Sequence, residues 1–546
     1  MTGRAFCKKT LAVALSGALT SPTFVFAQDQ SVTVNQGLDG LSGSATAGMS
    51  DVQLAKLRFA RMVRTNPDIT TSQINVNATA YVKDAAQAAF YPKVSIGANA
   101  SSSTTVNNVQ STDITVLQPI YTGGRLTARA KSAEQQGVIA NGDFDKTVQD
   151  VVTESFIASN NLSRNALLVE ASKAAESAVA ELLALERRRV DLGGGGVTDE
   201  QFAKARLAVT QDRLVNYQGQ LDEARATYAR YFGAYPDPLT VPELDVTRDM
   251  LPPTMEEAIN KALFASPEVR LGEYQISKAR YDYDAEDASL WPSVDLVGIQ
   301  QFYQQPDIYT GKTQNSSVNL RLSYSAFSGG DQIARVRQAQ ATIQTRRAQL
   351  ESTRIRVQEN VRFQWGKYMA GVGRSNTLSG AYKEALQVFK NRKRLRDFGR
   401  ETVIVMLDSE VEYFNVLIAY INSVFDAREA GFRLLRAMGQ MMPTPHQEGD
   451  WINPFFAKVP ERAKLQDNLR ATADIASSPA DDNIARQLGI AVDQADIQNA
   501  SRFVLTPSQR LSVTRKAENE RILNSESERS VRPALKTDTK LDKDFY

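Results

Sequence analysis

The sequence predicts a mixed, mostly α-helical fold in which a β-hairpin joined to a long antiparallel coiled-coil hairpin occurs twice. Three observations predict this fold. Short motifs recur at a steady spacing along the 546 residues, runs of alternating polar and apolar residues follow the early motifs, and long heptad-like stretches follow the later ones. A charged fraction of 23% with only 8% aromatic residues also suits long solvated helices better than one compact globule.

The recurring motifs indicate an internal duplication. The two copies are 200 residues apart at the first two motifs and 206 apart at the later ones, so the second copy has six extra residues at one place. We expect these residues in the loop around Tyr303 to Gln314, where an insertion costs little. The matching pairs are Asn66-Pro67 and Ser266-Pro267, Tyr91-Pro92 and Trp291-Pro292, Gly123-Gly124 and Gly329-Gly330, Leu192-Gly193 and Phe398-Gly399, and Phe232-Gly233 and Met438-Gly439.

Alternating patterns predict two strands in each copy, over about residues 93–121 and 293–327. In the first copy Val94 opens one strand and Ile114 begins its partner, which runs to Tyr121; the clearest strand is Val318 to Ala326. One apolar and one polar face over about ten residues is typical of a porous membrane barrel. Four strands cannot close a barrel, and open edges are not tolerated in lipid, so several copies of the chain would have to combine.

Two proline-free segments predict the coiled-coil hairpins, over about residues 126–233 and 331–440. Apolar residues recur there at alternating spacings of four and three, which is a coiled-coil seam. Gly193 and Gly399 interrupt the pattern and are the expected hairpin tips. Amphipathic helices of an ordinary bundle are the alternative, but a first helix from Leu126 to Arg189 would be roughly 95 Å long, which exceeds a globular core.

The remaining segments complete the predicted organisation. Residues 1–27 have the pattern of an export signal, and Cys7 lies within it, so the mature chain has no lipoprotein cysteine. We assign residues 28–233 to the first repeat, 234–258 to an equatorial linker, 259–442 to the second repeat, and 443–546 to a C-terminal equatorial segment and a disordered tail. We expect Trp451 to Phe456 to pack back on the chain.

Several classes of function are disfavoured by the composition. The net charge of +2 provides no field for nucleic acid, and the single histidine, His446, lies in a predicted loop. Without other histidines and with no mature cysteine, zinc sites and Ser-His-Asp catalysis are excluded, and we expect no cofactor. Thr310-Gly311-Lys312-Thr313 lacks the first glycine of a phosphate loop. A structural coiled-coil surface protein remains an alternative, and an enzyme is the weakest one.

The tip segments carry a family resemblance. The motif Leu-Gly-x-x-x-x-Thr-Asp at Leu192 to Asp199, the motif Phe-Gly-x-x-Thr-Val-x-x-x-Leu-Asp at Phe398 to Asp408, and Leu-Leu-Arg-Ala-Met-Gly ending at Gly439 resemble the TolC family of outer-membrane efflux and type I secretion channels. The resemblance covers about Met49 to Met442. It implies a homotrimer with a 12-stranded outer-membrane β-barrel that is continued by a periplasmic α-helical barrel.

The resemblance also implies partners and a function. The partners are outer-membrane lipid, a periplasmic adaptor protein and an inner-membrane ABC or proton-driven transporter, which supplies the energy. The expected function is an exit duct for type I protein secretion, with small-molecule efflux as the alternative.

Candidate site residues follow from the same resemblance. Asp408 matches the second residue of an acidic pair that forms a gate constriction in the family, whereas Val405 stands at the first position. The trimer would therefore carry one ring of three carboxylates, which attracts cations. Glu401 stands where the family has a tip arginine, with Arg400 beside it.

The tips are the candidate adaptor-docking surface. Arginine and lysine residues make both tips basic, so they could dock an acidic surface; a solubilising helix end that offsets the helix dipole is the equal alternative. The docking candidates are Leu192, Gly193, Thr198, Asp199, Arg396, Phe398 and Gly399.

Overall fold

The computed structural model describes residues 50–101, 109–233, 235–238, 241–304, 313–443, 450–457 and 461. The chain divides into two compact units, Met1–Ser50 and Asp51–Tyr546, and every element below belongs to the second unit. The predicted export signal, His446, residues Thr310 to Lys312 of the phosphate-loop-like segment and nearly all of the predicted tail lie outside the described residues.

Twelve helices and strands in the described part of the chain form two similar series. Each series has two shorter helices, two antiparallel strands and two long helices, which follow one another in the same order. The first series is α1 Asp51–Thr65, α2 Pro67–Ala88, β1 Lys93–Ser101, β2 Val109–Tyr121, α3 Arg125–Asp191 and α4 Val197–Phe232. The second is α5 Met255–Ala265, α6 Pro267–Asp287, β3 Ser293–Gln304, β4 Thr313–Ser323, α7 Asp331–Asp397 and α8 Val403–Ala437. The predicted mostly helical fold with a small antiparallel sheet is confirmed.

The two hairpins join in one four-stranded sheet with the order β1-β2-β3-β4. Val94 pairs with Val116, which pairs in turn with Gly298 of the second copy, so the central β2–β3 pairing links the two copies. This pairing also extends β2, which begins at Val109 rather than at Ile114 as the pattern predicted.

The predicted end of the last strand is wrong. We expected β4 to continue to Ala326, but it ends at Ser323, whose partner Ser293 is the first residue of β3. Pro292 precedes Ser293, and a strand cannot continue where its partner chain has ended. The hairpin spans 31 residues in the second copy, Ser293–Ser323, against 29 in the first, Lys93–Tyr121, and the other four of the six extra residues lie between β4 and Gly329-Gly330.

The two long helices that follow the strands both end in a sharp reversal of the chain. α3 and α7 have 67 residues each, and each ends at a glycine with positive φ, 74° at Gly193 and 69° at Gly399. An L-residue is strained in this region, so glycine suits the sharp reversal into α4 and α8. Among the described residues, none of the helices combines the length and the apolar character that crossing a bilayer requires.

The core lies where the two series meet. Phe59 of α1, Phe156 of α3 and Phe432 of α8 are almost fully buried there. Trp451 stacks on Phe156 with the ring centroids 5.8 Å apart, so the segment 450–457 does pack back on the helices. Its backbone joins the linker between the two copies, since Leu244 forms an isolated β-bridge with Phe456.

Candidate functional site

One face of the sheet is apolar and exposed. Val94, Ile96, Val318, Leu320 and Leu322 lie on this face and are 64 to 74% exposed. The opposite face is mainly polar, with Asn319 and Arg321 on β4, although Val297 is buried there. Apolar side chains in this number are not left in water without a partner, so the face needs an apolar environment.

Large aromatic residues lie at the junctions between the strands and the helices. Tyr91 and Trp291 precede β1 and β3, and Tyr324 and Phe327 follow β4; these four side chains are 61 to 86% exposed. Amphipathic aromatic rings are enriched at the level of lipid headgroups. The junctions therefore form one edge of the apolar face.

At the other end of the long helices, an ion pair joins the two hairpins. The guanidinium of Arg206 on α4 donates to Oδ1 of Asp408 on α8 at 3.0 Å. Phe202 lies one turn before, and the guanidinium carbon is 5.1 Å from the centroid of its ring, which helps to orient the arginine. Asp408 is half exposed, so the predicted gate residue reaches the surface but has a partner in its own chain.

A second link repeats this one a heptad further along. Arg213 of α4 donates to the side-chain oxygen of Asn415 on α8 at 2.9 Å. Since seven residues are two helical turns, both links lie on the same seam between α4 and α8. Arg206 is not among the residues that the sequence predicted for the gate; the seven-residue spacing of Arg206 and Arg213 matches that of Asp408 and Asn415, but this spacing does not by itself select Arg206 among the other arginines.

The second tip is held by a network around Arg392. Its guanidinium donates to the carbonyl oxygen of Val405 at 3.1 Å and lies 3.7 Å from Oε1 of Glu401. Val405 therefore takes part through its backbone carbonyl, and Glu401 forms its ion pair within its own tip. Arg396 lies 3.9 Å from the sulfur of Met406, whereas Arg400 is exposed. The structure thus brings Glu401, Val405 and Arg396 close to the start of α8.

The first tip has an internal charge network as well. Glu200 lies 2.6 Å from the ammonium of Lys204 and 3.2 Å from the guanidinium of Arg187. Its hydrogen bonds to Lys204 and Arg187 hold the pKa of its carboxyl below the usual range. Arg189 pairs with Glu186 at 3.5 Å, so part of the positive charge predicted for this tip is neutralised locally.

Apolar side chains project from both tips. Leu192 is 70% and Phe398 79% exposed, each directly before its tip glycine. Thr198 is exposed and Asp199 is half-buried in the first turn of α4, five and six residues after Gly193. The docking candidates of each tip are therefore close in sequence, and both tips present exposed apolar side chains, with Val197 also exposed at the first tip.

Comparison with known proteins identifies this architecture. A family model described as outer membrane efflux protein matches residues 61–234 and 258–440, one match for each copy of the duplication. The chain belongs to the outer membrane efflux protein family. Its location is the outer membrane, with a periplasmic extension, and its role is transport rather than enzymatic catalysis. The predicted resemblance to TolC-like channels is confirmed.

Individual members of the efflux protein family are distant in sequence but similar in fold. The outer membrane efflux protein BepC of Brucella suis biovar 1 (strain 1330) is 21% identical over 411 residues, which cover 73% of this chain and 89% of BepC. The proteases secretion protein PrtF of Dickeya chrysanthemi is 24% identical over 338 residues, 57% of this chain and 70% of PrtF. The crystal structure of the outer membrane protein VceC from Vibrio cholerae has a TM-score of 0.61 at 17% identity and covers 71% of this chain and 96% of VceC.

Proposed function

We propose that three copies of the chain form an export duct that crosses the outer membrane and continues through the periplasm. The observation that carries this proposal is the open sheet, because its apolar face is exposed and, within the described residues, β1 and β4 each have an unpaired edge. Lipid does not tolerate such edges, and four strands are too few for a closed barrel. Three copies would supply twelve strands, with β4 of one copy beside β1 of the next.

The dimensions of the sheet agree with a bilayer. The 11 residues of β4 extend roughly 36 Å at about 3.3 Å per residue, and a tilt near 45° reduces this height to about 25 Å, the thickness of the apolar band of outer-membrane barrels. The exposed aromatic residues at the strand–helix junctions, among them Tyr91 and Trp291, would lie at the periplasmic headgroups.

The long helices would form the conduit below the membrane. Helices of 67 residues are about 100 Å long at 1.5 Å per residue, and α3 and α7 both have this length. The two hairpins of each copy would contribute to the wall of a helical tunnel. The chain reverses direction at the two tips, near Gly193 and Gly399, and these tips would form the end of the tunnel that is far from the strands.

Asp408 would contribute to the gate at the tip end of this tunnel. The Arg206–Asp408 pair joins the first hairpin to the second, so it opposes their separation at the tip. In a trimer three such pairs would act together, and opening would expose three carboxylates to the passage, which favours cations. Val405 and Glu401 belong to the same end, where their contacts with Arg392 would hold the start of α8, and Arg400 is exposed beside them.

The tips would bind the partners that open the duct. Leu192, Val197 and Phe398 are exposed apolar side chains there, and an apolar centre with a polar rim is typical of protein interfaces. A periplasmic adaptor protein is the expected partner, and an inner-membrane transporter, either an ABC or a proton-driven pump, would provide the energy.

The cargo is proposed to be a secreted protein, exported by a type I system. The similarity to PrtF, a proteases secretion protein, supports this cargo. The similarity to BepC, an outer membrane efflux protein that matches over a longer stretch, favours small-molecule efflux as the second candidate. Both relatives are below 25% identity, so only a functional test separates the two.

The test has a physical and a cellular arm. Purified protein should migrate as a trimer in mild detergent and should produce cation-selective conductance in planar lipid bilayers; a monomer without conductance would contradict the duct. In cells that lack the gene, loss of a secreted protein from the medium with unchanged sensitivity to toxic small molecules would support protein secretion. The reverse pattern would support efflux.

A further inference from the structure

A carboxyl group that the gate proposal does not use lies two residues after Asp408. Glu410 of α8 is fully buried, and neither of its carboxylate oxygens has a hydrogen-bond partner in the described structure. Buried carboxylates are normally paired, because an isolated charge in an apolar interior is strongly unfavourable. A buried carboxyl without partners therefore favours its neutral, protonated form.

The carboxyl of Glu410 lines a small cavity where three helices meet. The cavity has a volume of about 20 Å³ and lies between α3, α7 and α8. Its walls are largely apolar, with Leu182 from α3, Phe389 from α7 and Met406 from α8. This volume is sufficient for about one water molecule, which would allow a proton to be exchanged without unfolding.

The charged groups that face the cavity come from two of the helices. Glu181 is on α3, and Lys393 and Arg396 are on α7. Burial is the main cause that raises the pKa of Glu410, to about 8; the charge of Glu181 raises it further, and the charge of Lys393 opposes the shift. A carboxylate at this position would repel Glu181 and draw water between the helices.

We propose that Glu410 is a proton-controlled latch, whose neutral carboxyl holds the tip end of α8 against α3 and α7 and whose ionisation releases it. Glu410 and Asp408 share one turn of α8, so a displacement that hydrates Glu410 also moves the Arg206–Asp408 pair. The latch rests on the proposed function to the extent that this end of the helices is the gate.

The direction of the pH effect follows from linkage. In the closed packing Glu410 keeps its proton up to a pH near 8, whereas a solvated glutamate loses its proton near pH 4.5. The closed state is therefore favoured below the lower value, loses stability as the pH rises between the two values, and is least stable above the higher one. Alkaline conditions release the latch, and acid conditions close it.

The variant Glu410→Gln distinguishes the ionisation of Glu410 from the general effects of pH on the protein. Glutamine has the shape of the protonated carboxyl and cannot ionise, so this variant should fold at least as well as the natural chain. Glu412→Gln is the matched control, since Glu412 lies two residues further on the same helix and is exposed. All three full-length proteins are compared between pH 5 and pH 9.

The first readout is thermal unfolding of the detergent-solubilised protein. The unfolding temperatures of the natural chain and of Glu412→Gln should fall together as the pH rises, while that of Glu410→Gln should fall less, so that its advantage grows between pH 5 and pH 8. Equal slopes in all three proteins would overturn the latch. This readout does not depend on whether the protein conducts.

The second readout is basal conductance in planar bilayers. The natural chain and Glu412→Gln should conduct several-fold more at pH 9 than at pH 6, and Glu410→Gln should change by less than about twofold. If Glu410→Gln keeps the full pH response, the latch is wrong. If none of the proteins conducts at any pH, the proposed duct fails, and the unfolding data still decide the protonation of Glu410.

Discussion

Loss of the Arg206–Asp408 pair should weaken closure of the tip. The pair is partly solvent-exposed, with side-chain exposures of 34 and 55%, so its contribution is that of a surface ion pair, about 0.5 kcal/mol. If three subunits open together, Asp408→Asn removes about 1.5 kcal/mol from the closed state. The ratio of open to closed channels should then rise about tenfold.

Planar bilayer recording at neutral pH measures this ratio directly. The variant should show a higher open probability, and the difference should shrink at high ionic strength, because salt screens an exposed pair in the natural chain. The charge-reversed double variant Arg206→Asp with Asp408→Arg should return the open probability towards that of the natural protein. Rescue of this kind distinguishes the link from a general disturbance of the tip.

Asp426→Asn is the matched control for this experiment. Asp426 lies on the same helix and pairs with Arg164 of α3 at 3.3 Å, with a similar exposure of 49%. It is 18 residues from Asp408, about 27 Å along the helix, so its loss should leave the open probability unchanged. An equal rise in both variants, or no rise in Asp408→Asn, would refute the role of the link.

Two further predictions concern the sheet and the helical hairpin. Leu320→Arg places a charge on the exposed apolar face of β4 and should cost about 2–4 kcal/mol of stability in lipid. Asn319→Arg, on the opposite face, should be tolerated. Folding into lipid vesicles measures the stability of both variants, and equal losses would contradict the assigned faces. Gly371→Ala should destabilise the chain by about 1–3 kcal/mol, because the new Cβ would lie 2.9 Å from the Cα of Ala427. At Gly373→Ala the new Cβ meets nothing within 4 Å, so this control variant should be neutral or stabilised by up to about 1 kcal/mol. Thermal unfolding compares the two variants, and a lower stability of Gly373→Ala than of Gly371→Ala would contradict the close contact between α7 and α8 at Gly371.

The candidate site was predictable only where it depends on local sequence. The tip glycines, the exposed residues Leu192 and Phe398, and the position of Asp408 near the start of a helix all follow from spacing and motif. The partner of Asp408 does not, since Arg206 is 202 residues away and many arginines lie on the intervening helices. The spacing of four residues from Met406 and three to Tyr413 places Glu410 on the seam of α8, but its burial without a hydrogen-bond partner depends on two other helices.

The duplication, the alternation of the strands and the heptad pattern of the long helices can be predicted from the amino-acid sequence, because each of these is a regular spacing of residues along the chain. The pairing of β2 with β3, the end of β4 at Ser323, where its partner strand begins, and the ion pair of Asp408 with Arg206 became evident in the folded structure. These features depend on residues that are distant along the chain, and the free energy that selects them comes from pairing and burial after the elements have met.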